Sequence, residues 1–246
     1  WRIILNGAMA FYALAIILSY TRAAIIVMIG YPFIYLMFKW KLTKWVLLSG
    51  VIGSLIFYAN FVQDKAFVPY APNYETTISH DEFGNLVQAT YQLEDISTME
   101  RLHRWVGGYY MISEKPILGF GPSSFYDNYK SYTLNMFQTY VSDNPAQSTI
   151  HNYYLLLLVE QGIPGLVFFL ILVFGALLFA ERLIHSDNIS ETQKKMMYFC
   201  GMSLTGFLVM SLINDMFEVD KLAVYVYLSI AGIVIVSSGE LNRTME

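Results

Sequence analysis

Charged residues are scarce in this sequence. Asp, Glu, Lys and Arg make up 14% of its 246 residues, whereas a soluble domain contains roughly 25%. The net charge is −4, so the basic footprint of a nucleic-acid-binding protein is missing and no nucleic-acid partner is expected. The single cysteine, Cys200, excludes a disulfide framework. No cluster of His, Cys and carboxylates has ligand spacing, so neither a metal nor another cofactor is expected.

The sequence instead contains long runs of apolar residues. Hydrophobic residues reach 56% and aromatic residues 16%, and a spanning helix needs about 20 mainly apolar residues. We therefore predict an all-α integral membrane protein with about six transmembrane helices. Because Trp1 and Arg2 open directly into an apolar run, we expect earlier spans to be missing. The predicted spans are 3–20, 23–38, 44–62, 162–180, 196–213 and 221–238.

A long polar stretch divides these spans into two groups. We predict three parts from this division. Residues 1–62 form three transmembrane helices, and residues 63–150 form a mainly helical extramembrane domain between spans three and four. Residues 151–246 then supply an amphipathic helix, three further spans and a tail.

Lysine and arginine concentrate in the short loops 39–44 and 181–195. Cytoplasmic loops carry such an excess, and alternating spans bring both loops to one side of the membrane. That side is therefore predicted to be cytoplasmic. The 63–150 domain and the short loop 214–221 are predicted to face outward.

Two local patterns stand out in the outer segment. Residues 75–92 predict two short strands around a Phe-Gly-Asn turn. Ser97 and Glu100 have the spacing of a capping box. A helix is therefore predicted from near Thr98 to about Ser113.

Three arginines are candidates for binding an anionic group. Arg22 lies at a predicted hairpin bend, where a guanidinium is costly unless it is paired; snorkelling to the interface explains it equally well. Arg101 and Arg104 share one face of the predicted helix. Gly107 and Gly108 would leave an open floor beside them, suited to a phosphate. The alternative is an amphipathic helix on the membrane surface, with both arginines touching lipid headgroups.

His151 opens a stretch, HNYYLLLLVEQ, that has a helical pattern. A neutral imidazole can accept a proton near physiological pH, and Asn152 is a possible hydrogen-bond partner for it. For a lone histidine, the usual alternative is an interfacial residue that anchors a helix end. The following Gly162 and Gly165 are predicted to re-aim the chain into the next span. The remaining histidines have the character of surface residues: His80, His103 and His185.

Glu160 and a glycine pair are weaker candidates. Glu160 either orients a substrate hydroxyl or caps the helix after the Gly-Ile-Pro-Gly break, and we favour the cap because helix N-termini attract negative charge. Gly119 and Gly121 could form a nest of backbone amides for an anion. A plain turn is favoured there, because the third glycine of a dinucleotide loop is missing.

Four motifs, in this order, resemble those of the bacterial O-antigen ligase/polymerase family. They are YTRAA at 20–24, RLHRW at 101–105, MISEKPILGFGPSSF at 111–125 and HNYYLLLLVEQGIPGL at 151–166. The resemblance covers residues 19–170. The sequence departs from the family pattern at Ala23, where the family has glycine, and in a long polar insert at 63–96.

The resemblance implies a fold like that of membrane-embedded (GT-C-like) glycosyltransferases, acting at the periplasmic face of the bacterial inner membrane. It implies inverting transfer of a glycan from an undecaprenyl-diphosphate carrier to an acceptor sugar hydroxyl, without a metal. The implied partners are this donor, a lipid A-core or glycan acceptor, and membrane lipids. Arg22 and Arg101, with Arg104, would bind the diphosphate, and His151 would be the base. Weaker substrate contacts would come from Asn152, Glu160, Gly119 and Gly121.

Other functions remain open at this point. Ligase, polymerase and protein O-oligosaccharyltransferase share the same architecture. A polysaccharide transporter or flippase would explain six spans and Arg22, but transporters show internal repeats, which this sequence lacks. A non-catalytic sensor or assembly subunit would not need Arg22, Arg101 and His151 to converge.

Overall fold

The computed structural model describes residues 2–18, 22–60, 65, 68, 96–139, 142–145, 147–218 and 220–245. Within these ranges the protein is helical and has no strand, which confirms the all-α class there. The two strands predicted in 75–92 lie outside the described residues. The helices are α1 (Arg2–Leu18), α2 (Arg22–Lys39), α3 (Thr43–Tyr58), α4 (Ile96–Glu114), α5 (Phe125–Asn128), α6 (Tyr153–Ile184), α7 (Glu191–Met210) and α8 (Asp220–Met245).

Not every apolar helix has the length of a membrane span. Within the described residues, Tyr153–Ile184 and Lys221–Ser238 are long and apolar enough to cross a membrane. Three shorter apolar helices accompany them: Ile3–Leu18, Ala24–Lys39 and Thr43–Tyr58. The six predicted spans, the three-part division of the chain and the GT-C-like likeness therefore stay predictions.

Helices α2, α6, α7 and α8 pack around one apolar core. Fully buried side chains from three of them, Phe38, Leu177 and Met197, lie at its centre. Gly201 allows α2 to approach α7, because a Cβ at this position would lie 2.7 Å from the Phe38 ring. Helix α1 leaves nearly all its apolar side chains exposed, as a lipid-facing helix does.

The loops sort to the two ends of this bundle as predicted. The backbone N–H of Thr43 donates to Glu181 Oε2 at 3.0 Å, so loops 39–44 and 181–195 share one end. The backbone N–H of Tyr153 donates to the Ser211 carbonyl at 2.9 Å, so the residues around 150 and 211 share the other, which we call the outer end. The side of the membrane that each end faces stays a prediction.

Helix α4 confirms the predicted helix and begins two residues earlier, at Ile96. The predicted capping box is wrong, because Ser97 already lies inside the helix. The buried carboxylate of Glu100 instead accepts hydrogen bonds from the hydroxyls of Thr139 and Ser142. Glu100 therefore holds the chain that follows α5 against α4, rather than capping α4.

Helix α6 covers 32 residues in two helical parts, which meet at a break at Gly162, where φ is +68° and ψ is −168°. The predicted re-aiming of the chain is thus confirmed. A Cβ at Gly162 would overlap the carbonyl oxygen of Ile117. Only glycine fits, since both the left-handed backbone and the close approach exclude a side chain.

Residues 116–121, which we call the bracing loop, pair with the backbone groups that the break leaves open. Without such partners, buried N–H and C=O groups would be costly. The loop therefore completes the broken helix and fixes its bend. The bonds run from Phe120 N–H to Val159 O at 2.8 Å, from Gly121 N–H to Glu160 O at 2.9 Å, and from Ile163 N–H to Pro116 O at 2.9 Å.

Candidate functional site

His151 lies in a strained turn immediately before α6. Its φ is +55°, a region that few residues other than glycine adopt. The backbone N–H of His151 donates to Asp215 Oδ2 at 2.8 Å, and its side chain is 35% exposed. Such strain, held by tertiary contacts, is found at functional sites.

Asp215 is the residue of this site that the sequence analysis missed. It is buried, its Oδ2 also accepts a hydrogen bond from the Thr149 hydroxyl, and this oxygen lies 3.8 Å from His151 Nδ1. Its Oδ1 has no hydrogen-bond partner among the residues that the structure describes. The charge pattern placed loop 214–221 at the outer end, but nothing in it distinguished Asp215 from the neighbouring acids.

The electrostatic environment keeps the His151 imidazole neutral. Burial lowers its pKa below the usual histidine value. The Asp215 carboxylate opposes this shift, and the positive charges of Arg104 and Arg101 reinforce it. A neutral imidazole with one exposed face can accept a proton at neutral pH.

Arg104 is buried and bonded inside the protein. Its Nη2 donates to Glu100 Oε2 at 3.3 Å, and its Nη1 donates to the Thr149 carbonyl at 3.1 Å. Next to it, Trp105 Nε1 donates to the Ile150 carbonyl at 3.0 Å. These bonds fix the two residues before His151. Arg104 is thus bonded to the chain just before His151, and its predicted contact with the diphosphate stays a prediction.

Arg101 lies on the same side of α4 as Arg104, as predicted. It is half-buried and near enough to His151 to lower the pKa of the imidazole. The open floor predicted beside these arginines is wrong. Gly107 packs against Thr133, and a Cβ at Gly108 would overlap the Ile150 side chain, so both glycines serve helix packing.

Glu160 caps a helix, but a different one from that predicted. Its carboxylate accepts the backbone N–H groups of Ser123 at 2.9 Å and Phe125 at 3.2 Å, so it holds the start of α5. The favoured turn at Gly119 and Gly121 is observed, with φ of +66° and +105°. The Gly121 amide donates to α6 rather than toward an anion, so these three residues hold the fold together.

Asn152, His103, His185 and Arg22 remain from the sequence analysis. Asn152 is the N-cap of α6, and its side chain accepts the Leu155 N–H at 3.1 Å. His103 is buried rather than a surface residue, and burial lowers its pKa. Arg22 is the first residue of α2, but its side chain, like His80, lies outside the described part of the chain. His185 lies at the end remote from His151.

Comparison with known proteins gives one match. A family model described as O-Antigen ligase matches residues 7–170. This range includes Arg22, Arg101 and His151, and it ends before Asp215. No curated protein and no solved structure matches the chain.

Proposed function

Because the chain belongs to the O-antigen ligase family, a family of membrane proteins, we propose that it transfers a glycan from an undecaprenyl-diphosphate carrier to an acceptor sugar hydroxyl. The reaction takes place at the outer end of the bundle, which we assign to the periplasmic face of the inner membrane. The observation that carries the proposal is the neutral, half-exposed His151, held in a strained turn by Asp215 beside Arg101.

His151 acts as the general base in this mechanism. Its Nδ1 faces Asp215, which leaves Nε2 to take the proton of the acceptor hydroxyl. The hydroxyl oxygen forms a bond to the anomeric carbon as the bond from that carbon to the diphosphate oxygen breaks. The electron pair leaves with the diphosphate. A positioned base contributes about 10²–10⁴-fold to such a reaction.

The charged residues around His151 have two roles. Arg101, together with Arg22 on the strength of its sequence motif, stabilises the negative charge that grows on the diphosphate. Asp215 stabilises the imidazolium that forms when His151 takes the proton. Because diphosphate is a good leaving group and arginines balance its charge, transfer proceeds without a metal.

Substitution of His151 tests this function. In His151→Ala the base is lost while the diphosphate contacts remain, so transfer should fall about 10²–10⁴-fold with donor affinity near normal. His185→Ala, at the other end of the bundle, is the matched control and should transfer at the parental rate. Folded protein, donor affinity and transfer rate are measured for each. A folded His151→Ala protein with parental turnover would remove this histidine from the mechanism.

Deletion of the gene identifies the acceptor. Loss of long-chain surface lipopolysaccharide, with carrier-linked polymer retained, indicates a ligase. Loss of the polymer, with single repeat units retained, indicates a polymerase, and loss of glycan from proteins indicates a protein O-oligosaccharyltransferase. A flippase is distinguished from all three enzymes by a transfer assay with purified components, in which it would form no new glycosidic bond.

A further inference from the structure

A cleft opens at the end of the bundle remote from His151. It consists of two cavities of about 560 and 410 Å³, and His185 lines both. Tyr35 and Tyr198 line the larger cavity, with ring centroids 5.1 Å apart. Both volumes lie in the range of small-molecule sites, about 300–1,000 Å³. We call the two cavities together the lysine cleft.

Cationic side chains dominate the lysine cleft. Among the described residues, five cationic side chains and two carboxylates line it, a surplus of three positive charges with His185 neutral. Burial, Lys41 and Lys194 lower the pKa of His185 against the opposing charge of Glu181, which indicates that the imidazole lies in a positive field. The cationic residues are Lys39, Lys41, Arg182, Lys194 and Lys195.

The two carboxylates are already engaged within the protein. Glu191 pairs with Lys194 at 3.2 Å, and Glu181 Oε2 accepts the Thr43 N–H at 3.0 Å. At the larger cavity Glu191 offsets Lys194, which leaves the charges of Lys39 and Lys195 uncompensated there. An anionic ligand with several acceptor oxygens matches this arrangement.

The aromatic residues around the cleft indicate its depth in the membrane. Trp40 and Trp45 flank the turn between α2 and α3 and are 60% and 57% exposed. Lys44 Nζ lies over the Trp45 ring, 5.0 Å from its centroid. Exposed tryptophan beside lysine is typical of the headgroup layer. The cleft therefore lies at the depth where the phosphate groups of lipid headgroups would be found.

Lys41 brings one of the ammonium groups of the cleft from a left-handed turn. It ends α2 in a Schellman motif, with its own N–H on Phe38 O and the Leu42 N–H on Met37 O. Its φ is +57°, at the position where glycine is the favoured residue. The Lys41 side chain thus lines the cleft from a backbone conformation in which glycine would be less strained.

We propose that the lysine cleft binds the phosphate-bearing headgroup of an anionic phospholipid in the leaflet opposite the candidate active site. The cleft lies at the far end of α6 from His151, and the part of α6 after the break, residues 163–184, is about 33 Å long, since each helical residue adds about 1.5 Å. This site is separate from the transfer reaction and does not depend on it. Unspecific attraction of the same lysines to a negative membrane surface is the competing explanation.

Thermal unfolding of the full chain in detergent tests the lipid. Dioctanoyl-phosphatidylglycerol should raise Tm with saturation, as a ligand of the folded state does. Dioctanoyl-phosphatidylcholine and glycerol 3-phosphate should leave Tm unchanged. Equal stabilisation by phosphatidylcholine would overturn the anion requirement. Equal stabilisation by glycerol 3-phosphate would overturn the lipid and indicate a soluble phosphate ligand.

A matched pair of variants separates a site from diffuse attraction. Lys195→Gln removes a cleft charge and should raise the apparent Kd for phosphatidylglycerol about fivefold. Lys44→Gln removes the same charge at the same end, but Lys44 lines neither cavity, so its Kd should be unchanged. An equal loss in both variants, or no loss in either, overturns the site.

If Lys195→Gln fails to fold, Lys41→Gly tests the same site. Glycine suits the left-handed turn, so the variant should unfold at or above the parental Tm without lipid. Its apparent Kd for phosphatidylglycerol should nevertheless rise about fivefold, because one ammonium group is lost. A folded Lys41→Gly protein with parental affinity would overturn the proposal.

Discussion

Arg104 and Glu100 form an ion pair at the outer end of the bundle, and Lys194 and Glu191 form one at the opposite end. The side chains of the first pair are both 7% exposed, whereas those of the second are 24% and 80% exposed. The outer pair also bonds to backbone and hydroxyl groups of neighbouring segments. The buried ion pair at the outer end therefore holds neighbouring segments in place. The exposed pair at the opposite end holds no other segment of the described chain and contributes only to the surface charge.

Arg104→Ala should give the largest effect. It would leave the Glu100 carboxylate buried without its counter-charge, and removal of one member of a buried pair costs about 3–5 kcal/mol. Unfolding in detergent measures the loss. Arg104→Lys, which keeps the charge but not the fork, should lose less. A loss below about 1 kcal/mol for the alanine variant would make the outer pair equivalent to a surface pair.

Gly162→Ala should destabilise the outer end by about 2–4 kcal/mol, because its Cβ would overlap the Ile117 carbonyl at a positive φ. Gly175 lies in the same helix with nothing near its Cβ position. Gly175→Ala is therefore the control and should be neutral or stabilising by up to about 1 kcal/mol. Equal unfolding free energies for the two variants would contradict the close packing of the bracing loop.

Asp215→Asn should slow transfer about 5- to 30-fold, as expected for a coupling of about 1–2 kcal/mol between contacting residues. The Asp215 charge raises the pKa of His151, so its removal lowers that pKa further. The base is active when neutral, and activity is lost as pH falls through its pKa. The acid limb of the pH–rate profile should therefore move to lower pH. An unmoved limb would show that the carboxylate does not act through His151.

Glu191→Gln should have the smallest effect. The pair with Lys194 is exposed, and such pairs are worth about 0.5 kcal/mol or less. The same unfolding measurement applies, with Arg104→Ala as the reference for a buried pair. A loss as large as that of Arg104→Ala would abolish the contrast between the two ends.

Features that depend on neighbouring residues in the chain were predictable. The spacing of Ser97 and Glu100 predicted the start of α4 to within two residues, although the capping box itself does not form. The Gly-Ile-Pro-Gly sequence predicted a change of direction, and the structure places the break at Gly162. The prediction that the two basic loops share one end of the bundle also agrees with the Thr43–Glu181 contact, while the side of the membrane that they face stays a prediction.

Features that depend on distant residues were not predictable. The i+3 spacing placed Arg101 and Arg104 on one face of α4, but it carries no information on which one is buried. Glu160 was assigned to the helix that follows it, whereas tertiary contacts bring its carboxylate to α5. Asp215 accepts a hydrogen bond from the backbone N–H of His151, which is 64 residues away in the sequence. No local sequence pattern connects two residues at that distance.

The hydrogen bonds between the bracing loop and the break at Gly162 make these two motifs a single unit for protein engineering. A chimaera that exchanges residues 96–150 alone between two relatives would join a foreign bracing loop to a resident break. Three backbone hydrogen bonds and the tight fit at Gly162 would then join a bracing loop from one relative to a break from the other. Crossover points that enclose residues 96–215 transfer the loop, the break, His151 and its partner Asp215 together, and such chimaeras are the ones expected to fold.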